Sequence, residues 1–488
     1  MSIAKDALFV GPGTRQRKRV RLILVATIIA AFFFFSYNFS RNRVLYSSIS
    51  SYDHEHTGSV ATRPSSFTTG AGTCNVDTGV VERYGLTGDV KYTRREIYVV
   101  LTDKEEIPIT TQMDMNLFDV PPTTLSSDVQ TTVNCSDPIT VRVPPSLPFR
   151  DASHIDFAIS TNMERLMDSM DAFSVWAGYT NTRFLVFIEP GADQRKAQRK
   201  AKSLGLNIEL FESDVDYENR YSLLVKLLAD NARPETKWFC IMDDDTFFLS
   251  MSRLLQMLDK YDVSKPHYIG TVTESDSQLS MFGIFAYGGA GMFFSRPLMD
   301  ELGRIWDECD AGTDHGDGKI AHCVYQYTRT KLEMETGLNQ LDLMTDASGW
   351  FEAARSVPVS LHHWKSWFEA DVVKMTAVRD VCGTNCILRQ WRFADGWLLT
   401  NGYSVIHHGA GVTDDYGAFA MEKTWDDLNG STDESFVRTL GPLRSKEEDK
   451  ISLRLADVIV EGGQVRQFYI RRVEGGDEVL ELVWRVGQ

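Results

Sequence analysis

After its first 43 residues this chain is short of positive charge. Residues 1–43 hold eight Lys and Arg against one acid, so the formal charge of −16 divides into +7 there and −23 over the rest. That balance gives no basic footprint for nucleic acid, and none is expected as a partner. Long apolar runs are absent except for one near the start, and no internal repeat is evident, which excludes a repeat array. Cysteine is sparse, seven in 488 residues. Cys382 and Cys386 in "VCGTNC" lack a second pair at metal-site spacing, which argues against zinc. Low-complexity composition does not dominate either: 43% hydrophobic and 11% aromatic residues suffice for a large packed core and exclude a disordered chain.

The exceptional apolar run is Leu22–Phe35, "LILVATIIAAFFFF", which with its mildly polar flanks reaches the roughly 17–20 residues that cross a bilayer. Arg15, Arg17, Lys18, Arg19 and Arg21 precede it, against Arg41 and Arg43 after it, so the amino terminus is expected in the cytosol. A cleaved signal peptide is the competing reading, but no small-residue cleavage pattern follows. The expected plan is a cytosolic tail (1–21), a transmembrane signal anchor (22–39), a Ser/Thr/Gly-rich stem (40–91), an amino-terminal lumenal extension (92–150), a main domain (151–370) and a carboxy-terminal extension packed on it (371–488). The short, Phe-rich span suits a thin early-secretory or Golgi membrane more than a thick plasma membrane. A lumenal body permits disulfides, with Cys382–Cys386, Cys309–Cys323 and Cys74–Cys135 as candidate pairs. Sequons at Asn134 and Asn429 agree with that compartment.

From His154 the pattern alternates. "HIDFAIS", "TRFLVFIEP", "NIELFES" and "KWFCIM" read as strands, separated by the helical stretches "NMERLMDSMDAFSVWA", "DQRKAQRKAKSLG" and "NRYSLLVKLLADNA". Strand, helix, strand at this spacing predicts a doubly wound α/β sheet, in which ligands gather at the carboxyl ends of the strands.

Asp243, Asp244 and Asp245 stand at such an end. Adjacent carboxylates destabilise one another unless a cation or strong donors compensate them, and a hard divalent ion is the usual partner. In extended chain the first and third side chains share a direction, so an Asp-x-Asp pair can grip one metal. The bland alternative is a solvated acidic turn capping a helix that begins near Ser250. Further on, "YGGAGMFF" places Gly288, Gly289 and Gly291 where backbone can approach a ligand, and "RPLMDEL" opens a helix with proline in its first turn. "DHGDGKIAHCVY" sets Asp317 ahead of an apolar helical run, and "VPVSLHHWKSWF" sets His362 and His363 after a short strand. Singly, Asp317 is equally a helix cap and His362 a surface histidine.

The ordered set "WFCIMDDDTFF", "YIG", "YGGAGMFFSRPL", "GDGKIAHC" and "LHHWKSWF" resembles the Fringe-like branch of glycosyltransferase family 31, especially its fungal and plant members, over about residues 154–370. The resemblance implies a nucleotide-sugar-binding glycosyltransferase A-type (Rossmann-like) fold in a type II Golgi enzyme that uses manganese and a UDP-sugar. By position it implies Asp243 and Asp245 as the Asp-x-Asp pair, Asp245 the direct metal ligand and Asp244 next to ribose or sugar. It likewise implies His362 as the metal-binding histidine with His363 as the fallback, Asp317 as the catalytic base, and Gly288, Gly289, Ala290 and Gly291 as the loop lining donor sugar and acceptor. Two positions depart from the family. Gly316 stands before Asp317 where a second acid is common, and the disulfide partner usual for Cys240 is here Met292 or Phe293, which makes Cys240 a candidate free thiol.

The expected chemistry is a single displacement. An acceptor hydroxyl on a glycan or glycoprotein, deprotonated by one carboxylate, attacks the anomeric carbon and inverts it, while Mn²⁺ neutralises the leaving diphosphate. Transfer of a GlcNAc- or Gal-type sugar in β-1,3 linkage is what the resemblance implies. A haloacid-type phosphatase also puts aspartates at a strand end, but it needs Thr or Val where this chain has Phe247. The other rival is a glycosyltransferase-like scaffold that binds glycans without turnover.

Overall fold

Strand β1, Ile155–Ser160, buries all six of its side chains, because both faces of the sheet it centres are covered. The computed structural model describes residues 73–76, 78–103, 107–125, 132–134, 136–309, 316–409, 420–427 and 433–487. The anchor expected at 22–39, the stem up to residue 72, Cys135 and the side chains of Cys74 and of both sequons lie outside what the structure describes. Among the described residues no helix is long and apolar enough to cross a membrane.

The predicted alternation folds as β1, helix α1 (Met163–Ala177), β2 (Arg183–Ile188), α2 (Gln194–Ser203), β3 (Asn207–Glu212), α3 (Tyr217–Ser222), α4 (Leu224–Asp230) and β4 (Trp238–Ile241). Short polar residues start the helices: Asn162 accepts the Arg165 amide and Asp216 the Asn219 amide. The single helix expected over 219–232 is two, divided at Leu223. β5 (Phe247–Phe248) and α5 (Met251–Leu258) follow, then β6 (Tyr268–Gly270), α6 (Asp276–Phe282), β7 (Met292–Ser295), α7 (Arg296–Ile305), α8 (Gly316–Tyr327), β8 (Leu332–Met334) and β9 (Ser360–Leu361). The main sheet runs β8-β6-β7-β4-β1-β2-β3. Strands β4, β1, β2 and β3 are parallel, as doubly wound chains require, but β7 is antiparallel to both β4 and β6. The sheet is therefore mixed. β7 follows β6 through residues 271–291, a connection that carries α6 and the glycine loop and brings the chain back antiparallel beside β6.

The segments expected as separate extensions share one ten-stranded sheet. Val90–Leu101 pairs in parallel with Glu478–Val486 near the carboxyl end and with Ile139–Val143. Its core includes Trp391 and Trp484 and encloses the Cys382–Cys386 disulfide. Cys309 and Cys323 form the other described disulfide, and Cys240 is a free buried thiol.

Beneath the main sheet, β1 carries a buried Asp156. Its oxygens accept from Arg183 (Nη2, 2.9 Å), Arg233 (Nη2, 2.6 Å) and the Thr236 hydroxyl (2.7 Å), so the charge is compensated on every side. Asp156→Ala leaves two guanidinium groups facing a void. We expect a loss of about 3–5 kcal/mol in denaturant unfolding; a variant within 1 kcal/mol of the parent would refute this account of the strand.

Candidate active site

A two-stranded ribbon assembles the site. β5 pairs antiparallel with β9, Phe247 opposite Leu361, so the residues just before β5 meet those just after β9. That register brings Asp243 and Asp245 to the histidine pair. His362 Nε2 lies 3.2 Å from Asp243 Oδ2 and 3.1 Å from Asp245 Oδ1. His363 Nδ1 is 4.0 Å from Asp245 Oδ2. Ligand atoms of Asp245, His362 and His363 all fall within 4.8 Å of one another. One carboxylate oxygen with imidazole nitrogens, all from buried residues, is a donor set that fits a first-row divalent ion.

The three acids lie in a turn closed by the Thr246 amide donating to the Asp243 carbonyl at 3.2 Å, and the turn sends Asp244 the other way. Arg165 grips it with two bonds, Nε to Oδ2 at 2.7 Å and Nη2 to Oδ1 at 2.6 Å. Thr161 donates its hydroxyl to the same carboxylate, and Lys365 Nζ stands 3.4 Å from Oδ1. The triplet is thus no solvated turn, since Asp244 and Asp245 are each only 3% exposed. Nor does it cap α5, whose first turn is capped by Ser250.

Electrostatics follows this division. Burial alone would raise the Asp245 pKa, yet the adjacent His362 and His363 imidazoles and the Ser366 hydroxyl hold it well below the usual carboxylate range. Burial also opposes a charged His362, but Asp245 and Asp243 outweigh it and raise its pKa well above that of free imidazole. A proton on His362 therefore occupies the place of a cation. Burial and the charge of His362 lower the pKa of His363.

The glycine loop is moulded around these groups. A Cβ on Gly289 would stand 2.0 Å from His362 Cε1, and one on Gly288 1.7 Å from the Tyr221 hydroxyl. Gly291 has φ +89°, which glycine adopts without strain. The loop carbonyls are tied down from both strands of the ribbon, Gly289 by the Thr246 hydroxyl and Ala290 by the Ser360 hydroxyl, each at 2.7 Å. Across the loop, Asp317 in the first turn of α8 accepts from the Gly318 amide at 2.8 Å and the Gly288 amide at 3.5 Å. Burial and the Asp243 charge push its pKa up to about 7. A carboxylate near neutrality suits proton abstraction.

The structure thus brings together Asp243, Asp245, His362, the loop Gly288–Gly291 and Asp317, and adds His363 as a third metal-facing group. Arg165, Thr161, Lys365 and Tyr221 were not found by sequence reasoning. Arg165 sits on an ordinary amphipathic helix 79 residues before its partner, and no local spacing signals that contact.

Comparison with known families matches residues 209–379 to the Fringe-like family. The chain carries a Fringe-like domain. The matched stretch spans the aspartate triplet, the glycine loop, Asp317 and both histidines, while β1, β2 and Arg165 precede it. No curated protein matches the chain. Solved structures resemble it only distantly. A mannosyltransferase, PcManGT from Pyrobaculum calidifontis in complex with GDP-Man and Mn²⁺, shares 13% identity over 44% of this chain and 63% of its own, with a TM-score of 0.29. Apo GlyE, a glycosyltransferase of Streptococcus pneumoniae TIGR4, shares 10% over 43% and 54%, also at 0.29. Apo mouse xyloside xylosyltransferase 1 shares 9% over 36% and 85%, at 0.27. Scores this low carry no weight for activity.

Because His362 packs face-on against Gly289, Gly289→Ala is expected to displace the imidazole. Mn²⁺ affinity, read by electron paramagnetic resonance of the free ion, should weaken about tenfold or more while the unfolding midpoint shifts little. Parental affinity in that variant would show that the contact does not set the imidazole.

Proposed function

We propose that this chain is a type II Golgi membrane glycosyltransferase, anchored through residues 22–39, that moves a GlcNAc- or Gal-type sugar from a UDP-sugar to a hydroxyl of a glycan or glycoprotein acceptor. The transfer is metal-dependent, uses Mn²⁺, inverts the anomeric carbon and forms a β-1,3 linkage. One observation supports this above the others: within a Fringe-like domain, the Asp245–His362–His363 cluster and the elevated carboxyl of Asp317 face each other across the Gly288–Gly291 loop. The apolar run Leu22–Phe35 and its basic amino flank support the anchor.

In this reading Asp245 and His362 would hold the ion, with Asp243 beside them and His363 as a further candidate ligand. When bound, the ion offsets the charge that develops on the departing diphosphate. Asp244, locked by Arg165, keeps the triplet in register and in this reading lies next to the ribose or sugar of the donor. The loop Gly288–Gly291 sets the floor of the sugar site. Asp317 takes the proton of the acceptor hydroxyl as that oxygen attacks, on the face opposite the diphosphate. A single base without a covalent nucleophile dictates inversion.

Asp245→Ala should abolish Mn²⁺-stimulated release of UDP from a UDP-sugar panel while the variant stays folded; full activity would remove the metal role. Asp317→Asn should bind UDP as the parent does yet lose at least about 10²-fold in turnover. The pH profile carries the sign. Asp317 is active only when deprotonated, so the parental rate must fall as pH drops through the pKa of this carboxyl, and the Asn variant must lose that limb. A residual limb of the same shape would assign the base elsewhere.

A further inference from the structure

Both histidines lean on one loop, and that loop leans on one buried acid. The carbonyl of Gln340 lies 3.1 Å from His362 Nδ1. A carbonyl only accepts, so Nδ1 carries the hydrogen and Nε2 is the atom turned toward Asp243 and Asp245. The Asp342 carboxylate lies 3.1 Å from His363 Nε2, which puts the hydrogen of that ring on Nε2 and leaves Nδ1 facing Asp245 and the Ser366 hydroxyl, 3.0 Å away. The two neighbouring rings are therefore set in opposite senses. The backbone at His363, with φ +59°, makes that reversal sterically attainable.

Between the two anchors stands Leu341, fully buried and with φ +57°, a conformation costly for a residue with a side chain that persists only where the surroundings impose it. The imposing group is Glu274. Its Oε1 accepts from the Leu341 amide at 2.9 Å and its Oε2 from the Asp342 amide at 3.1 Å. Glu274 itself is buried, just after β6, and its carboxylate bonds to the backbone of Leu341 and Asp342.

We propose that Glu274 is a positioning residue for the metal centre: by pinning the Leu341 and Asp342 amides it fixes the Gln340 carbonyl and the Asp342 carboxylate, which together turn one nitrogen of each histidine toward Asp245. This role rests on the metal reading given above, and it goes beyond it in naming an acid remote from the ion that governs affinity for it. Glutamine cannot replace Glu274, because its amide nitrogen would oppose a backbone N–H.

The test uses the full chain and Mn²⁺ alone, without donor or acceptor. Glu274→Gln should weaken Mn²⁺ binding about tenfold or more by free-ion electron paramagnetic resonance, with the near-ultraviolet circular dichroism of the parent retained. Asp342→Asn, which keeps an acceptor oxygen for His363, should lose less than Asp342→Ala. A folded Glu274→Gln chain with parental affinity would overturn the proposal. Should that variant fail to fold, histidine-selective ¹⁵N NMR of the metal-free parent decides: a neutral His363 protonated on Nε2 supports the arrangement, and protonation on Nδ1 overturns it. A parent chain with no affinity for Mn²⁺ refutes the metal reading itself, and the NMR result then still reports whether the loop sets the rings.

Discussion

Three consecutive carboxylates in a buried turn are the constraint around which this site is built. Removing a carboxylate from water costs several kcal/mol unless partners are supplied, and neighbouring charges add to that cost. The chain resolves it by alternation. Asp244 turns to Arg165, Thr161 and Lys365, a compensation complete within the protein. Asp243 and Asp245 turn the opposite way and share a single imidazole, His362, whose proton is the only nearby positive charge within reach of both among the described residues. Compensation on that side is partial and exchangeable. A divalent cation would do the same electrostatic task with more charge, which is why the proposed function puts the metal here.

The glycine loop serves this arrangement in a way its composition does not announce. Glycines before a helix suggest room for a ligand, yet at Gly288 and Gly289 the space is taken by Tyr221 and His362. The loop is a mould that fixes the imidazole from one side, while the ribbon of β5 and β9 fixes the loop through Thr246 and Ser360. Ligand atom, loop and ribbon therefore hold one another. Tyr221, wedged between Gly288 and Gly316, joins the loop to the turn that carries Asp317, so the proposed base and the proposed metal side rest on the same side chain.

Much of the main domain could be read from periodicity. Strands β1 to β4 and their helices lie where the apolar runs fall, because both-face burial writes itself as a continuous hydrophobic stretch. The residues that the motifs single out, Asp243, Asp245, His362 and Asp317, do converge. What stayed hidden depends on pairings distant in sequence. The antiparallel entry of β7 is set by its pairing with β4 and β6, and the grip of Arg165 on Asp244 crosses 79 residues. Glu274, Gln340 and Asp342 act through backbone groups and carry no motif. The merging of residues 90–143 with 390–486 into one sheet leaves no local trace either, since each strand shows only its own alternation.

That merged sheet bears on the chemistry through helix Ser348–Ala353, which leads into the chain that reaches β9 and the histidines. Phe351 stacks on Tyr403 at 4.1 Å. Glu352 accepts from Lys450 at 3.0 Å and from the Ser404 hydroxyl at 2.8 Å, and Lys450 also donates to Glu422 at 2.6 Å. Gly349 comes so close to the Glu422 carbonyl that a Cβ would stand 1.8 Å from its oxygen. These contacts are buried and charge-balanced, so loosening one leaves another ion unpaired. The approach to His362 is thereby fixed by residues from the last ninety positions of the chain, outside the stretch matched to the Fringe-like family. The metal-facing geometry belongs to the whole folded body, not to the family motifs alone.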